Sequence, residues 1–197
     1  MYSPEWPMHT ERLLLRPFEE RDLQALHTMQ SDVEVVRYLY HDVRSLDDVR
    51  IALARKMGSV SIAGEGDHVN AAVVLRDSGE LVADVSLWLV SEGHEQAELG
   101  FVVHPAHQRK GYATEASRPL LDFAFNTMHL HRVVGRLEAR NAGSARVLEK
   151  LGMRREAHFV ENEWVKGEWQ SEYVYALLAE EWAAQASARP TGSDMGH

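Results

Sequence analysis

Residues 107–116, His-Gln-Arg-Lys-Gly-Tyr-Ala-Thr-Glu-Ala, hold the densest chemical signal in the chain. They stand where an apolar run, residues 99–104 closed by Pro105, gives way to a helical pattern that begins near Ala113. A strand, a short glycine-bearing loop and a helix start, in that order, form an anion site. The first N–H groups of a helix have no internal acceptor and carry the positive end of the macrodipole, so a phosphate placed there receives several hydrogen bonds at once. Gly111 removes the Cβ that would hold a diphosphate away, and Ala113 is the next smallest choice. Arg109 and Lys110 add positive charge. The same six or seven residues in isolation also describe an ordinary loop and helix N-terminus, so the flanking elements decide.

Length and charge bound what those elements can be. At 197 residues the chain fits a single domain, expected over 1–184, with 185–197 read as a flexible tail. It has no cysteine, which excludes disulfides, thiolate metal sites and thiol nucleophiles. The 30 acidic against 21 basic side chains give a net charge of −9, the opposite of the basic footprint that nucleic acid or an anionic membrane requires. An acidic balance suits a cationic substrate such as an amine, and also simply keeps a protein soluble. No apolar run approaches ~20 residues and no signal-peptide pattern opens the chain, so a cytoplasmic soluble protein is expected. The pairs His129/His131 and His104/His107 lack a consistent third ligand, and no metal site is expected.

The elements follow from periodicity. Residues 1–8 read as an irregular lead-in and 10–17 as a strand ended by Pro17; a helix opens at 19–22 and a short one covers 33–40. Ser45 with Asp48 forms a capping-box pattern for a helix running to about Met57. Residues 69–76, 80–90 and 96–104 read as an antiparallel meander, because their connections are too short for parallel crossovers. A helix then runs to about Met128, and 132–140 alternates as a strand, which implies a parallel right-handed crossover. Residues 145–151 form a short helix stopped by Gly152. Residues 153–160 and 170–178 are the last strands, joined by a loop over 161–169, and 179–188 is helix-prone.

Taken together, these segments resemble the GNAT acetyltransferase superfamily, and its RimJ/RimL-like branch in particular. Gln108-x-x-Gly111-x-Ala113 is similar to its acyl-CoA diphosphate signature, which assigns Gln108, Arg109, Lys110, Gly111, Tyr112, Ala113 and Thr114 to the cofactor. Thr10-Glu-Arg-Leu-x-Leu-Arg-Pro17, Ala97-Glu-Leu-Gly-Phe101, Thr114-Glu-Ala116, Leu130-His-Arg-Val133, the segment from Arg140-Asn to Leu151-Gly152 and Tyr175-Ala-Leu-Leu-x-x-Glu-Trp182 match in the family's order. The resemblance implies an α/β fold: a strongly twisted, mostly antiparallel mixed sheet with helices on both faces, in which the fourth and fifth strands run parallel and splay apart around acetyl-CoA or another acyl-CoA.

It also implies roles. Phe101, Val102 and Val103 would present main-chain groups to pantetheine. Gly100 would suit a bulge at the splay, or mark close packing. Asn141 would contact the pantetheine arm and Ser144 would protonate the departing thiolate, although either residue also suits a helix N-cap. Glu98 is the implied general base; its structural alternative is an ion pair with Arg136 or Arg140. Tyr38, His158 and Glu168 are implied to border the acceptor pocket. From the residues themselves, Asp84, an acid within an apolar strand, lines that pocket or faces solvent, and Trp164 and Trp169, with Glu161, Glu163 and Glu168, form an aromatic and acidic wall for a cationic acceptor or pack a homodimer contact.

The reaction expected is direct attack of a primary amine on the thioester. A chain-terminal amine with a pKa of ~8 costs about 1 kcal/mol to deprotonate at pH 7 and a lysine about 4.6, which points to a protein N-terminus. A polyamine, an amino-sugar antibiotic or the use of succinyl-CoA are the alternatives, and a CoA-binding regulatory module without turnover is the alternative of another class. Pro119, inside the helix after the cofactor loop, predicts a kink near residues 115–119.

Overall fold

A computed structural model describes residues 1–188; the expected tail beyond them lies outside the described residues. Strand β1 (Met8–His9) pairs with β2 (Leu13–Arg16), and three helices follow: α1 (Leu23–Ser31), α2 (Val33–Val36) and α3 (Leu46–Gly58). The meander is β3 (His68–Leu75), β4 (Leu81–Ser91) and β5 (Gln96–Val103). Helix α4 (Tyr112–Asp122) leads to β6 (Arg132–Glu138), then α5 (Ala142–Lys150). Strands β7 (Arg154–Val165) and β8 (Glu168–Leu178) and helix α6 (Ala179–Ala188) complete it.

The eight strands form one sheet ordered β1-β2-β3-β4-β5-β6-β8-β7, antiparallel except for β5 against β6. Both the meander and the parallel crossover are therefore present, and the mixed sheet is the expected fold. Its two faces are covered separately. Leu15, Val73, Val85, Leu87 and Leu99 pack with Ala116, Leu120 and Leu121 of α4. On the opposite face Ala72, Val74 and Leu81 meet Leu26, Met29, Val49 and Leu53 of α1 and α3. The second face is the thinner one, and its gap becomes the cavity described below.

Four boundaries depart from the sequence reading. The lead-in is partly a strand, because Met8 and His9 pair with Leu15 and Leu14. Residues 161–169 are not a loop: β7 and β8 run on to a two-residue turn, with Lys166 at φ 52° and Gly167 at φ 82°. Such positive-φ turns match the twist of the flanking strands. The strand went unread because β7 is exposed along most of its length and so lacks an apolar alternation. Helix α5 starts at Ala142, three residues early, since Asn141 rather than Ser144 is its cap. Helix α2 ends at Val36 and not at residue 40, while 179–188 is helical as expected. Helix α4 continues through Pro119, and its irregularity falls later, where residues 123–127 widen to a π-helix closed by Met128 N–H donating to the Phe123 carbonyl at 2.9 Å.

Helix α5 is seated on β6 at Gly135, where a Cβ would lie 2.7 Å from Leu148 Cδ1. Leu148 is 1% exposed and has little room to retreat. Gly135→Ala is therefore expected to destabilise the protein by about 1–3 kcal/mol through overpacking, read as a lower denaturant midpoint at constant m-value.

Candidate active site

The loop before α4 is built to expose main-chain amides. Arg109 and Gly111 both adopt left-handed backbone, at φ 64° and 85°, and Gly111 caps α4 without any side-chain bond to the first turn. The amides of Tyr112, Ala113 and Thr114 thus have no intrahelical acceptor. Residues 108–111 are exposed. A Cβ at Gly111 would meet only the Arg12 guanidinium, at 3.5 Å, so what glycine supplies is its φ and an open approach for a ligand.

A clamp from the turn between β1 and β2 fixes the loop. Glu115 Oε1 accepts from the Thr10 hydroxyl at 2.6 Å and from Arg12 N–H at 2.9 Å, while Arg12 Nε donates to Glu115 Oε2 at 2.7 Å. Arg12 Nη1 also donates to the Lys110 carbonyl at 3.1 Å, and its guanidinium lies 4.7 Å over the Tyr112 ring. These contacts join the Thr10–Pro17 and Thr114–Ala116 segments of the resemblance into one device that holds the amides in place.

Beside the loop the sheet opens. Strand β5 pairs with β6 only at Gln96–Arg132, Ala97–Val133 and Glu98–Val134. Beyond Glu98, residues 99–103 pair with β4 alone, while β6 stays paired with β8 as far as Glu138. The edges carrying Phe101, Val102 and Val103 are thereby free to pair with an extended ligand, as the resemblance implied. Gly100 makes no bulge there: it faces Ser86 in unbroken register, and a Cβ would lie 2.8 Å from Ser86 Oγ. Close packing accounts for it. The one irregularity of this ladder falls between Leu89 and Ser91.

A cavity of about 400 Å³ occupies the splay and the space under α1–α3. Glu98 sits on its wall at the last paired position. Its carboxylate is 3.5 Å from Arg136 Nε, and the same guanidinium reaches Glu172 Oε2 at 3.1 Å. Burial pushes the Glu98 carboxyl above the ordinary carboxylate range; Arg136 opposes this, and the neighbouring Glu172 and Glu163 add to it. Of its two structural alternatives, Arg136 is the partner, while Arg140 is taken by Glu138 at 2.8 Å and Glu168 at 2.5 Å. Tyr40 is largely exposed but donates to Glu163 Oε2 at 2.6 Å, and partial desolvation of the phenol, then that carboxylate, raise its pKa above the usual range.

Of the other sequence candidates, Tyr38 and Asp84 line the cavity. Asp84 is buried and held by Lys56 at 2.5 Å, so it does not face solvent. Asn141 and Ser144 also line the cavity, and Asn141 Oδ1 accepts the Ser144 N–H at 3.0 Å, which leaves the Asn141 amide NH₂ to donate elsewhere. Three candidates fall outside. His158 packs edge-on against Tyr173, Trp164 is exposed against Trp169, and Glu168 is tied to Arg140. Tyr40, Arg44, Lys56 and Glu172 were missed. Only Glu172 left a trace in the sequence, as an acid within an apolar strand; it is 4% exposed.

Residues 12–154 match the family model described as an acetyltransferase (GNAT) domain. The chain belongs to the GNAT acetyltransferases. Among its relatives, the uncharacterized N-acetyltransferase YnaD of Bacillus subtilis is 36% identical over 174 residues, covering 88% of this chain and 97% of that one. A GNAT-family acetyltransferase from Bacillus anthracis superposes with a TM-score of 0.80 at 36% identity, covering 89% and 99% of the two chains. The spermidine N(1)-acetyltransferase of Vibrio cholerae is 24% identical over 81% of this chain and 88% of its own. As a GNAT acetyltransferase the protein is an acyl-CoA-dependent enzyme, and the exposed amides of 109–114 and the opened edge of β5 suit that co-substrate. No helix among the described residues is long and apolar enough to cross a membrane. Among them, too, no group of three or more His, Cys, Asp or Glu could hold a metal ion.

Proposed function

We propose that this GNAT acetyltransferase moves acetyl from acetyl-CoA to the primary amine of a small molecule by direct attack, with Glu98 as the proton acceptor. The observation that carries the reading is the position of Glu98: a half-buried carboxylate of raised proton affinity, at the point where β5 and β6 part, facing a cavity that also holds Glu163 and Glu172. An ammonium group entering there is attracted by the carboxylates and gives one proton to Glu98, directly or through a water. The freed amine attacks the thioester carbonyl. As the C–S bond breaks, the second proton leaves the nitrogen and the sulfur receives one, for which the Ser144 hydroxyl is the nearest candidate on α5.

Two contacts favour a small acceptor over a protein N-terminus. The Tyr40–Glu163 bond and the bond from Lys166 Nζ to the Val36 carbonyl, 2.6 Å, tie the tip of the β7–β8 hairpin to the segment after α2. They roof the cavity, and a polypeptide would have to lift that roof to enter. The Vibrio cholerae relative named as a spermidine acetyltransferase supports a small amine as well. The N-terminal amine is the second reading, favoured by its lower cost of deprotonation. Thiol release from acetyl-CoA, followed across small amines and across peptides with free N-termini, separates them: the roofed cavity predicts turnover with the former, and turnover confined to peptides contradicts it.

A further inference from the structure

We infer that the acceptor carries a carboxylate as well as the amine, and that Arg44 is the residue that recognises it; this rests on the amine-acceptor reading of the cavity. The charges of the cavity wall are nearly all matched from within. Lys56 neutralises Asp84, Arg136 lies between Glu98 and Glu172, and Arg140 holds Glu138. Two are left over. Glu163 takes only the phenol proton of Tyr40. Arg44 lines the same cavity, and among the described residues no carboxylate lies within 4.0 Å of its guanidinium. Arg44 acts on the exposed Asp48 through the field alone, and Asp48 is bonded to Ser45, so the guanidinium has no contact ion pair and a ligand carboxylate would supply one.

Arg44 is also pre-positioned. Its Nη1 donates to Gln30 Oε1 at 2.9 Å, and its backbone N–H donates to the Gln30 carbonyl at 2.9 Å. Gln30 is 6% exposed near the end of α1, and Arg44 directly precedes Ser45, the cap of α3. One guanidinium donor is used on Gln30, and the remaining fork keeps the geometry that a carboxylate accepts in pairs. Two adjacent residues mark the polarity of the space. Tyr40 lies in the field of Glu163, Glu172 and Glu98, whereas His41 lies in that of Arg44 and Lys166 as well as Asp42. Glu98, Glu163 and Glu172 on the cavity wall attract an ammonium and Arg44 on the same wall a carboxylate, the pattern of an amino acid or a related amino-carboxylate. A polyamine would leave Arg44 unmatched.

The test pairs each of several amino acids with its own carboxamide in steady-state acetylation by the wild-type enzyme, Arg44→Met and Arg44→Lys. The wild type is expected to prefer the acid over the amide by about 10- to 100-fold in kcat/KM, mostly through KM. In Arg44→Met that preference collapses to near one, and in Arg44→Lys part of it returns with the charge. A wild-type enzyme indifferent to the carboxylate overturns the inference. So does an Arg44→Met variant that loses acid and amide equally, which would reduce Arg44 to a pin between α1 and α3. Absence of turnover with every amine, acid or amide, while CoA still binds, overturns the amine-acceptor reading itself and the inference with it.

Discussion

Glu98→Gln is expected to lower kcat by about 10²- to 10³-fold, the range set by loss of a positioned general base. Its pH profile carries the sharper information. The active form of Glu98 is the carboxylate, and burial raises its pKa, so log kcat/KM of the wild type should rise with pH up to that raised value and then level off. The glutamine variant should lack that rise. Stability should move the other way. A carboxyl whose folded pKa is raised contributes stability that is fully present below its unfolded value and is lost as pH rises through the folded one. Once ionised, Glu98 is therefore a net cost to the fold, and above its raised pKa Glu98→Gln should melt no lower than the wild type, the gap closing as Glu98 becomes neutral in acid. A purely structural partner of Arg136 would behave oppositely: its removal would depress the melting temperature and leave the pH–rate profile in place.

Gly111→Val is expected to weaken CoA by about 100-fold or more, some 2.7 kcal/mol by calorimetry. Two effects combine. A β-branched residue at φ 85° is strained in the left-handed region, and its side chain would project into the space that a diphosphate takes above the α4 amides. Because residues 108–111 are exposed and the clamp of Arg12 and Glu115 lies beneath them, the fold itself should lose far less than the cofactor site. An undiminished CoA affinity in a folded variant would mean that the diphosphate is held elsewhere.

The candidate cofactor loop and part of the acceptor wall, Tyr38 and Asp84, were legible in the sequence, and the rest of that wall was not, for a physical reason. Diphosphate recognition uses the backbone of one contiguous stretch, and Glu98 lies thirteen residues before Gly111 on the strand that feeds it, so local spacing carries both. The acceptor wall is assembled from distant segments: Tyr40 reaches Glu163, and Lys166 reaches the Val36 carbonyl across 130 residues of chain. Neither meeting can be inferred without knowing that β7 and β8 extend to a tight turn over α2, and the polar, exposed edge strand hid that extension. His158 and Glu168 were assigned to the pocket on segment resemblance, but each finds another partner, Tyr173 of β8 and Arg140 of the turn after β6, and stays outside. Glu98 illustrates the opposite outcome. Of its two readings, the ion pair is present as the Arg136 contact, and the raised proton affinity keeps the base reading as a proposal for the pH profile to test.

A crystal structure of the acetyl-CoA complex tests the central claim most directly. It should show diphosphate oxygens within hydrogen-bond distance, about 2.7–3.2 Å, of main-chain amides between Arg109 and Thr114, and the thioester entering the splay beside Glu98. A diphosphate bound away from those amides, or a thioester on the far side of the sheet from Glu98, would contradict it.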